Sequence, residues 1–315
     1  MPDKKEHKKP IPILFTAGYG RSGSTITDLL LSQTKKVAVL GEIRHLFSRV
    51  MIDDELCNCS TPLQDCEHWK EVLADAFPNG YDQPELDRVH RRINRMAAWP
   101  ALRFTWLRSM SFQADLNTYT EAFYAVFKAF RQKAGADLLV DSSKFPMHLM
   151  ALLDRPDLFD VTTMLLVRDA RAVANSWENP KVRPEIYWEE RLMPEHSYIR
   201  SAVAWNLSNR LTLMTRRQNP NKFTVLRYED LTSTPLECLN HLLELTEATK
   251  ERADDTIFDV AKIKQYHKVA GNPLGLKGKR LEIKNDEKWR NKMSPRKQRI
   301  VKLICLPQMK KFNYL

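Results

Sequence analysis

The 315-residue sequence contains no apolar run that approaches the roughly 20 residues needed to cross a bilayer. Residues 1–10 are charged and lack the hydrophobic segment of a signal peptide, so we expect a disordered leader there. The five cysteines are too few, and odd in number, for the disulfide framework of a secreted protein. These absences predict a cytoplasmic protein with no membrane partner.

Acidic residues are scarce near the end of the chain. The sequence carries 50 Lys and Arg against 39 Asp and Glu, and residues 262–299 alone hold 13 of the basic residues but only three acidic ones. Such a segment can meet nucleic acid, a membrane surface or a small polyanion, although a solvated basic face is the commoner reason for it. Because Gly271, Gly275 and Gly278 interrupt the segment, we favour a basic loop that folds over an anionic ligand.

The loop after the first apolar run has the features of an anion site. Ile11-Pro-Ile-Leu-Phe-Thr-Ala17 predicts a buried strand, and a glycine-rich turn and an amphipathic segment follow it. In such a unit, backbone N–H groups and the helix dipole point at one spot and favour negative charge there. The residues of this cradle are Gly20, Arg21, Ser22, Gly23, Ser24 and Thr25, and we expect Ser24 and Thr25 to cap it.

The cradle lacks the lysine of an ATP-cleaving loop. Gly18-x-x-x-x-Gly23-Ser24-Thr25 has the spacing of a Walker A motif, but Ser24 stands where the lysine should be. A triphosphate-cleaving enzyme needs that lysine on the β and γ phosphates. Arg21 is the only cation inside the loop. We therefore expect a phosphate-like ligand and no hydrolysis of ATP.

Short apolar segments rich in β-branched residues recur along the chain and predict further strands. Helical patterns separate them, and the segments lie at 37–40, 138–140, 161–167 and 223–226. This alternation predicts an α/β fold of the P-loop type, with a mostly parallel sheet flanked by helices. We expect residues 11–315 to form a single domain with a helical insertion over 70–134.

Helical spacing also predicts which residues face the core. An apolar stripe follows the proline-rich loop at 178–195, and its members are Ile199, Val203, Leu207, Leu211 and Met214. We expect this stripe to be a buried helix face. Cys238 and Cys305 fall on helical stripes as well, and we expect both in the core.

A second segment also fits an anion. The predicted strand at 161–167 delivers Arg168 to the carboxyl edge of the sheet, where parallel sheets bind their ligands. Ser176 lies eight residues on, about two turns along the same helix face. An arginine and a hydroxyl placed in this way can hold a second phosphate. Taken alone, the segment is explained equally well by a surface ion pair between Arg168 and Asp169.

Together the two segments resemble the sulfotransferases that use 3′-phosphoadenosine 5′-phosphosulfate. In that family the first motif wraps the 5′-phosphosulfate and the second binds the 3′-phosphate. Arg21-Ser-Gly-Ser-Thr25 matches the first, with arginine where the cytosolic phenol and steroid enzymes have lysine, and Val167-Arg168-Asp-Ala-Arg…Ser176 matches the second. The resemblance implies that the cradle, Arg168 and Ser176 bind this donor and release 3′-phosphoadenosine 5′-phosphate.

Further matches follow in the order that the family has. Gly41-Glu42 comes after the second strand, Asp141-Ser-Ser-Lys144 after the third, and Arg227-Tyr228-Glu-Asp-Leu231 after a later one. Their number and order make the resemblance specific, although each motif alone is loose.

The tail resembles a bacterial branch related to the tyrosylprotein and carbohydrate sulfotransferases. His267-x-x-x-Gly271-Asn-Pro273 and Asp286-x-x-Trp289 carry this likeness, and Cys57-x-Cys59…Cys66-x-x-Trp69 recurs in the same branch. That branch commonly has an arginine near position 275, where this chain has glycine. Lys277, Lys279 or Arg280 is expected to supply the charge, and the tail residues assigned to the donor are Lys277, Gly278 and Lys279.

The resemblance implies catalytic roles as well. Glu42 is the expected general base, because a glutamate just after the second strand does this work in tyrosylprotein-type relatives, and His45 on the same helix face is the alternative. Arg21 and Lys144 are expected to stabilise charge on the leaving phosphate, without any metal. Tyr228 is expected to contact adenine. From the residues alone, Glu42 can equally be an acid favoured by a helix dipole, and Tyr228 a core tyrosine.

The acceptor is expected to be a small polar molecule, such as a natural product, that is sulfated on a hydroxyl or amine. We expect the insertion at 70–134 and the loop at 178–195 to form its pocket. Acidic residues in that loop hint at a cationic acceptor, although a solvated acidic loop explains them equally well; they are Glu185, Glu189, Glu190 and Glu195.

Two other classes of function stay open. A kinase-like phosphotransferase is disfavoured because Ser24 replaces the phosphate-gripping lysine. A non-enzymatic nucleic-acid binder could use the basic tail, but it leaves the cradle and Arg168 unexplained. We therefore expect no nucleic-acid partner, and the sequence leaves the oligomeric state open.

A compact cysteine segment offers four metal-ligand side chains within twelve residues. These are Cys57, Cys59, Cys66 and His68. Zinc sites usually space their first cysteines by two to four residues, so the Cys-x-Cys pair is tight for one tetrahedral ion. A zinc site, a local disulfide and free thiols are the alternatives, and free thiols are favoured.

Overall fold

A parallel sheet lies at the centre of the described chain. The computed structural model describes residues 9–179, 182–183, 185–259, 266–270 and 283–315. In chain order its strands are β1 (Ile11–Gly18), β2 (Val37–Gly41), β3 (Leu138–Lys144), β4 (Phe159–Val167) and β5 (Phe223–Arg227). Their spatial order is β2-β3-β1-β4-β5, and all four neighbouring pairs are parallel. The sheet with its flanking helices confirms the predicted α/β fold of the P-loop type.

Helices cover both faces of the sheet, which is why its strands are apolar on both sides. The helices are α1 (Ser24–Ser32), α2 (Met51–Asp53), α3 (Glu67–Ala76), α4 (Gln83–Ile93), α5 (Trp99–Arg103), α6 (Met110–Ala134), α7 (Pro146–Leu153), α8 (Ala170–Trp177), α9 (Tyr198–Thr215), α10 (Tyr228–Ser233), α11 (Pro235–Thr246), α12 (Trp289–Lys292) and α13 (Pro295–Lys311). Ile13 and Phe15 of β1 pack on one face with α4, α6 and α7, whereas Leu14 packs on the other with α1 and α11.

The predicted strands are all present, but β3 continues four residues beyond the apolar segment that marked it. Asp141 pairs in register with both Phe15 of β1 and Gly41 of β2, and Lys144 pairs with Ala17. Polar residues thus extend a central strand to the carboxyl edge of the sheet. The apolar pattern could not reveal this extension, because these polar residues are buried through specific partners and not through hydrophobicity.

The region at 70–134 is helical, as the sequence predicts. The side chain of Ser109 caps α6 by accepting a hydrogen bond from the Phe112 N–H at 3.1 Å, and Gly135 ends the helix in the left-handed conformation at φ 57°. Phe123 and Phe127 of α6 belong to the same core cluster as the odd-numbered residues of β1. This helix therefore packs directly on the sheet. No helix in the described ranges has both the length and the apolar character for a membrane crossing.

The α9 helix turns its apolar stripe outward, so the predicted core face is wrong. Four of the five stripe residues are exposed, at 46% for Ile199, 52% for Val203, 44% for Leu207 and 39% for Met214. The helix instead buries Ala202 and Trp205 together with small polar residues, against α8, α13 and β1. The Trp205 indole N–H donates to the backbone carbonyl of Arg168 at 3.1 Å. Small residues allow a close approach that hydrophobic spacing alone does not reveal.

Two substitutions on α9 distinguish its two faces. Trp205→Ala should lower the free energy of unfolding by about 3–5 kcal/mol, because it empties a fully buried aromatic site. Val203→Gln, two residues away on the exposed stripe, should change that free energy by no more than about 0.5 kcal/mol. Urea denaturation followed by circular dichroism measures both. Comparable losses from the two variants would contradict the observed orientation of α9.

Candidate functional site

The carboxyl ends of four neighbouring strands bring the predicted site residues to one edge of the sheet. Glu42 follows β2, Lys144 ends β3, the glycine-rich loop follows β1, and Arg168 follows β4. The register places Lys144 beside Ala17, one residue before the loop begins. Residues that are more than 140 positions apart in sequence therefore line one edge, where ligands of parallel sheets bind.

The glycine-rich loop opens α1 with free N–H groups. Gly23 is the N-cap of α1 at φ 103°, and no side chain caps the helix, so Ser24 and Thr25 are its first two residues and not its caps. The Ser22 hydroxyl donates to the Tyr19 carbonyl at 2.8 Å and tightens the turn. Among the described residues, no acceptor receives the N–H groups of 22–25. The first turn of α1 thus presents the donors of an anion cradle.

The glycines of the cradle allow two aromatic rings to approach the backbone. A Cβ atom at Gly20 would lie 2.8 Å from the Trp177 ring, and one at Gly23 would overlap the Tyr228 ring. Gly23 also needs its left-handed backbone conformation, which side chains other than glycine adopt at a cost. Tyr228 therefore packs directly against the cradle, at the start of α10.

Arg168 contacts both the cradle and Tyr228. Its guanidinium stacks on the Tyr228 ring at 4.5 Å from the ring centroid, and it donates to the Arg21 carbonyl at 3.4 Å. It also donates to the Asp286 carbonyl at 2.7 Å. The surface pair with Asp169 that the sequence left open is absent from the described contacts, because Asp169 caps α8 and pairs with Arg171 at 2.6 Å.

Buried arginine nitrogens near the cradle still have hydrogen-bonding capacity. The Nε atoms of Arg21 and Arg168 are buried and have no acceptor within the described residues. Arg21 lies over the Trp177 ring at 5.0 Å, and one of its terminal nitrogens contacts the Met193 sulfur at 2.7 Å. Burial lowers the pKa of Arg21, whereas nearby carboxylates, Glu42 first, raise it. Orphaned cationic donors beside free backbone N–H groups fit a multiply charged anion.

Ser176 is less directly involved. It lies in the last turn of α8, half-buried, and no described hydrogen bond joins its hydroxyl to Arg168. The tail residues Lys277, Gly278 and Lys279 lie outside the described residues.

An ion pair joins two of the predicted catalytic residues. The Lys144 ammonium donates to a Glu42 carboxylate oxygen at 2.8 Å, and the other oxygen lies 3.8 Å from His45 Nε2. Burial acts to raise the pKa of Glu42, but Lys144 and two nearby arginines outweigh it and hold the pKa below its ordinary value. Burial and the same arginines hold the pKa of His45 well below its ordinary value. At neutral pH the Glu42 carboxylate is therefore ionised, and the neighbouring His45 imidazole is neutral.

Two buried charges beneath this pair are not predicted by the sequence motifs. Asp28 of α1 and Lys268 are each 4% exposed. Burial raises the pKa of Asp28 and lowers that of Lys268, and each charge opposes the shift of the other. The Ser142 hydroxyl also donates to Asp28. An isolated aspartate in the apolar run Ile26–Leu31 is the one sequence signal that could have indicated a buried polar contact.

A hydrogen-bonded chain buries the polar end of β3. His148 of α7 joins the Asp141 carboxylate at 2.9 Å and the Tyr119 hydroxyl at 2.6 Å, and all three side chains are buried. Asp141 also accepts from the Ser143 N–H at 2.9 Å. Asp141 thus stabilises the end of β3, and so the position of Lys144 in the site.

The acids of the 178–195 loop do not form one acidic surface. Glu185 is buried and pairs with Arg183 at 2.9 Å, and Arg183 also pairs with Glu55 at 2.7 Å. Glu189 is exposed and pairs with Arg191 at 3.3 Å. The charge of Glu185 is therefore compensated inside the protein, and the preference for a cationic acceptor stays a prediction.

Two of the three thiols in the cysteine segment are buried. Cys57 and Cys66 are each 2% exposed, and Cys305 is buried as expected, but Cys238 is only half-buried. The histidine that approaches the thiols is His267, 201 residues after Cys66, and not His68. The sequence-local set that contains His68 is therefore wrong in its fourth member.

An α/β sheet with a glycine-rich loop between its first strand and first helix defines a P-loop-type fold. A family model described as "Sulfotransferase family" matches residues 12–251. The chain therefore belongs to the sulfotransferase family, and it is a sulfotransferase enzyme by this membership.

Solved structures with the same fold include other sulfotransferases. The sulfotransferase domain from the Synechococcus PCC 7002 olefin synthase is 20% identical, with a TM-score of 0.51 over 95% of this chain and 96% of that one. The sulfotransferase domain from the curacin biosynthetic pathway is 18% identical, with a TM-score of 0.50 over 94% and 98%. At this identity the likeness establishes the fold. A comparison with curated proteins finds no match.

A substitution in the cradle tests its anion-binding role. Gly23→Ala should lower the affinity for inorganic pyrophosphate by roughly tenfold or more, because its Cβ displaces Tyr228 and misplaces donors each worth about 1.5–3 kcal/mol to a charged ligand. Isothermal titration calorimetry measures the affinity.

Gly80→Ala is the matched control. Gly80 also has a positive φ, of 79°, but a Cβ there meets nothing within 4 Å. It should therefore lower stability by backbone strain of about 1–3 kcal/mol without weakening pyrophosphate. Equal pyrophosphate affinity in both variants would refute the cradle.

Proposed function

We propose that this enzyme transfers a sulfuryl group from 3′-phosphoadenosine 5′-phosphosulfate to a hydroxyl or amine of a small polar acceptor. The observation that carries the proposal is the Glu42–Lys144 pair, 2.8 Å apart, at the same sheet edge as the Arg21 cradle. It supplies an ionised base and a cation beside a site with unused anion-binding donors. Membership of the sulfotransferase family supports the choice of donor.

The site residues divide between the two charged ends of this donor. The N–H groups of the first turn of α1 and Arg21 suit the 5′-phosphosulfate. Arg168 suits the 3′-phosphate, because its Nε has no acceptor among the described residues and its guanidinium contacts the Arg21 carbonyl of the cradle at 3.4 Å. Tyr228 contacts both Gly23 of the cradle and Arg168, where its ring can support the nucleoside. Ser176 and the tail cations Lys277 and Lys279 complete this assignment.

The chemistry needs one proton acceptor and stabilised charge. The oxygen or nitrogen of the acceptor forms a new bond to sulfur. As this bond forms, Glu42 takes the proton of that hydroxyl or amine. The sulfur–oxygen bond to the donor phosphate breaks in line, and its electron pair stays on the phosphate oxygen. Arg21, Lys144 and the cradle N–H groups stabilise that developing charge. Lys144 also keeps Glu42 ionised, because it holds the carboxyl pKa low.

The acceptor class rests on two further features. Both similar sulfotransferase domains come from systems named for small-molecule products, an olefin synthase and the curacin pathway. In this chain the Glu185 carboxylate is neutralised by Arg183, so the described loop gives no reason to require a cationic acceptor. We therefore infer a small polar acceptor of the natural-product type, bound beside the helices at 70–134 and the loop at 178–195.

Glu42→Gln tests the base. It should lower kcat by about 10²–10⁴-fold, because the amide cannot accept the proton. Affinity for 3′-phosphoadenosine 5′-phosphate should be unchanged or tighter, because the substitution removes a negative charge near an anion site. Single-turnover sulfate transfer and calorimetry measure the two quantities. His45→Gln is the control and should retain most activity; the reverse pattern would make His45 the base.

Arg168→Ala tests recognition of the 3′-phosphate. It should weaken 3′-phosphoadenosine 5′-phosphate by about 1.5–3 kcal/mol, or roughly 10- to 150-fold, the contribution of a hydrogen bond to a charged group. Adenosine 5′-phosphate, which lacks the 3′-phosphate, should lose little. Calorimetry gives both dissociation constants.

Arg171→Ala is the control for this variant, because the Arg171 guanidinium pairs with Asp169 and lies over the Trp289 ring. It should leave the ratio of the two affinities unchanged. Equal losses for both nucleotides in Arg168→Ala would contradict the assignment.

A further inference from the structure

Three thiols and one imidazole converge on the side of the protein next to β2. The Sγ atoms of Cys57, Cys59 and Cys66 and a ring nitrogen of His267 all lie within 4.8 Å of one another. We propose that these four side chains form a tetrahedral zinc site that binds the cysteine loop to the tail segment at 266–270. The mechanism above makes no use of these residues.

The distances within the cluster match those that zinc imposes. In a tetrahedron with Zn–S bonds of about 2.3 Å, neighbouring sulfurs lie about 3.8 Å apart and sulfur–nitrogen edges are slightly shorter. Cys59 Sγ and Cys66 Sγ are 3.7 Å apart. His267 Nδ1 lies 3.6 Å from Cys57 Sγ and 3.3 Å from Cys66 Sγ. These three distances are within about 0.5 Å of the edges of such a tetrahedron. No distance between two of the four ligand atoms exceeds 4.8 Å.

The backbone of the cysteine loop explains how a Cys-x-Cys pair can serve one ion. Leu56 and Pro62 form an antiparallel bridge, and between them the Cys57 N–H donates to the Thr61 carbonyl at 2.9 Å. Ser60 has a positive φ of 67°, which turns the chain back towards Cys57. Both thiols therefore lie on one side of a tight turn, despite their short spacing.

Cys66 comes from the start of α3. It precedes the helix as its N-cap residue, and its N–H donates to the Pro62 carbonyl at 3.0 Å. The N-terminus of a helix stabilises a thiolate, which is the form that binds a metal. The turn and the helix together fix three of the four ligands within ten residues of chain.

Contacts that do not involve the thiols hold His267 in place. Asn58 lies between the two cysteines of the pair and bonds to both neighbours of His267. Its N–H donates to the Lys268 carbonyl at 3.3 Å, and its side-chain amide donates to the Tyr266 carbonyl at 3.2 Å. The His68 ring stacks on the His267 ring at 4.4 Å with an interplanar angle of 2°. His68 thus orients the ligand and does not provide it.

The donor set selects zinc among the common ions. Three thiolates and one imidazole are the ligands of closed, structural zinc sites, and they leave no open position for catalysis. Each thiol would release its proton to solvent as the ion binds, and the imidazole would bind as the neutral base. Burial of Cys57 and Cys66 agrees with a structural role and not with a reactive one.

The ion would act on the active site through the tail segment. Val269 lies beside β2, accepts a hydrogen bond from the Glu42 N–H at 2.9 Å and donates one to the Leu40 carbonyl at 2.9 Å. Lys268, next to His267, is buried and interacts electrostatically with Asp28, Lys144 and Glu42. Zinc at His267 would therefore fix both the backbone of the proposed base and the charge below it.

The test uses the full-length, tag-free protein. Mass spectrometry of the metal content should find an equimolar amount of zinc in protein produced with zinc in the medium. After zinc is removed, Co²⁺ should give the thiolate charge-transfer band and the intense visible bands of a tetrahedral cobalt site. Chelator treatment of the zinc form should lower the thermal unfolding midpoint. This part needs no variant, so it does not depend on how well any variant folds.

Variants then assign the ligands. Cys59→Ser and His267→Gln should abolish equimolar zinc binding, whereas Cys238→Ser, away from the cluster, should retain it. His68→Gln should also keep the ion and the cobalt spectrum, because His68 only stacks on the ligand. Loss of zinc in His68→Gln with retention in His267→Gln would overturn the ligand set. A folded, metal-free chain that gives no tetrahedral cobalt spectrum, or an intact mass two hydrogens lighter from a Cys59–Cys66 disulfide, would overturn the site itself.

Discussion

Charge buried at the carboxyl edge of the sheet is stable only because opposite signs alternate there. Glu42 pairs with Lys144 at 2.8 Å, and the buried Asp28 and Lys268 attract each other electrostatically, on elements that come from four separate parts of the chain. Removing one of these charges leaves its neighbour without its compensating charge. The same alternation sets the chemistry. The carboxylate of Glu42 stays ionised beside the Lys144 ammonium, and burial together with nearby cations keeps the His45 imidazole neutral. Stability and reactivity thus rest on one arrangement.

Much of the fold and of the candidate site could be predicted from the sequence, because the sequence patterns that indicate them are local. A strand, a glycine turn and a helix start are contiguous, so the cradle could be placed without knowledge of the fold. Each predicted strand is present, and Glu42, Lys144 and Arg168 each follow or end one of them. Since the ends of parallel strands meet at one edge, strand order placed Arg168 there. The family resemblance added Glu42 and Lys144.

The wrong predictions share one physical cause. Contacts between residues that are distant in sequence leave no periodic pattern in it. The α9 stripe reads as a core face, yet the helix is held by one tryptophan among small residues. His68 is near the cysteines in sequence, but His267 is near them in space. Glu185 looks like a free acid until Arg183 and Glu55 are seen around it. Extension of β3 depends on a buried hydrogen-bonded chain to His148 and Tyr119, which hydrophobic patterns do not register.

The contact between Val269 and β2 also affects whether the sheet can pair with another chain. β2 is an outer strand, and an outer strand with unpaired backbone groups is a template on which a second chain can add. By bonding to Leu40 and Glu42, Val269 occupies that margin at the end nearest the active site. The late-synthesised tail segment that brings Lys268 to the catalytic edge therefore also shields this end from intermolecular pairing. Before residue 269 has been synthesised, a nascent chain therefore has an incomplete site and leaves the edge of β2 open to pairing with another chain.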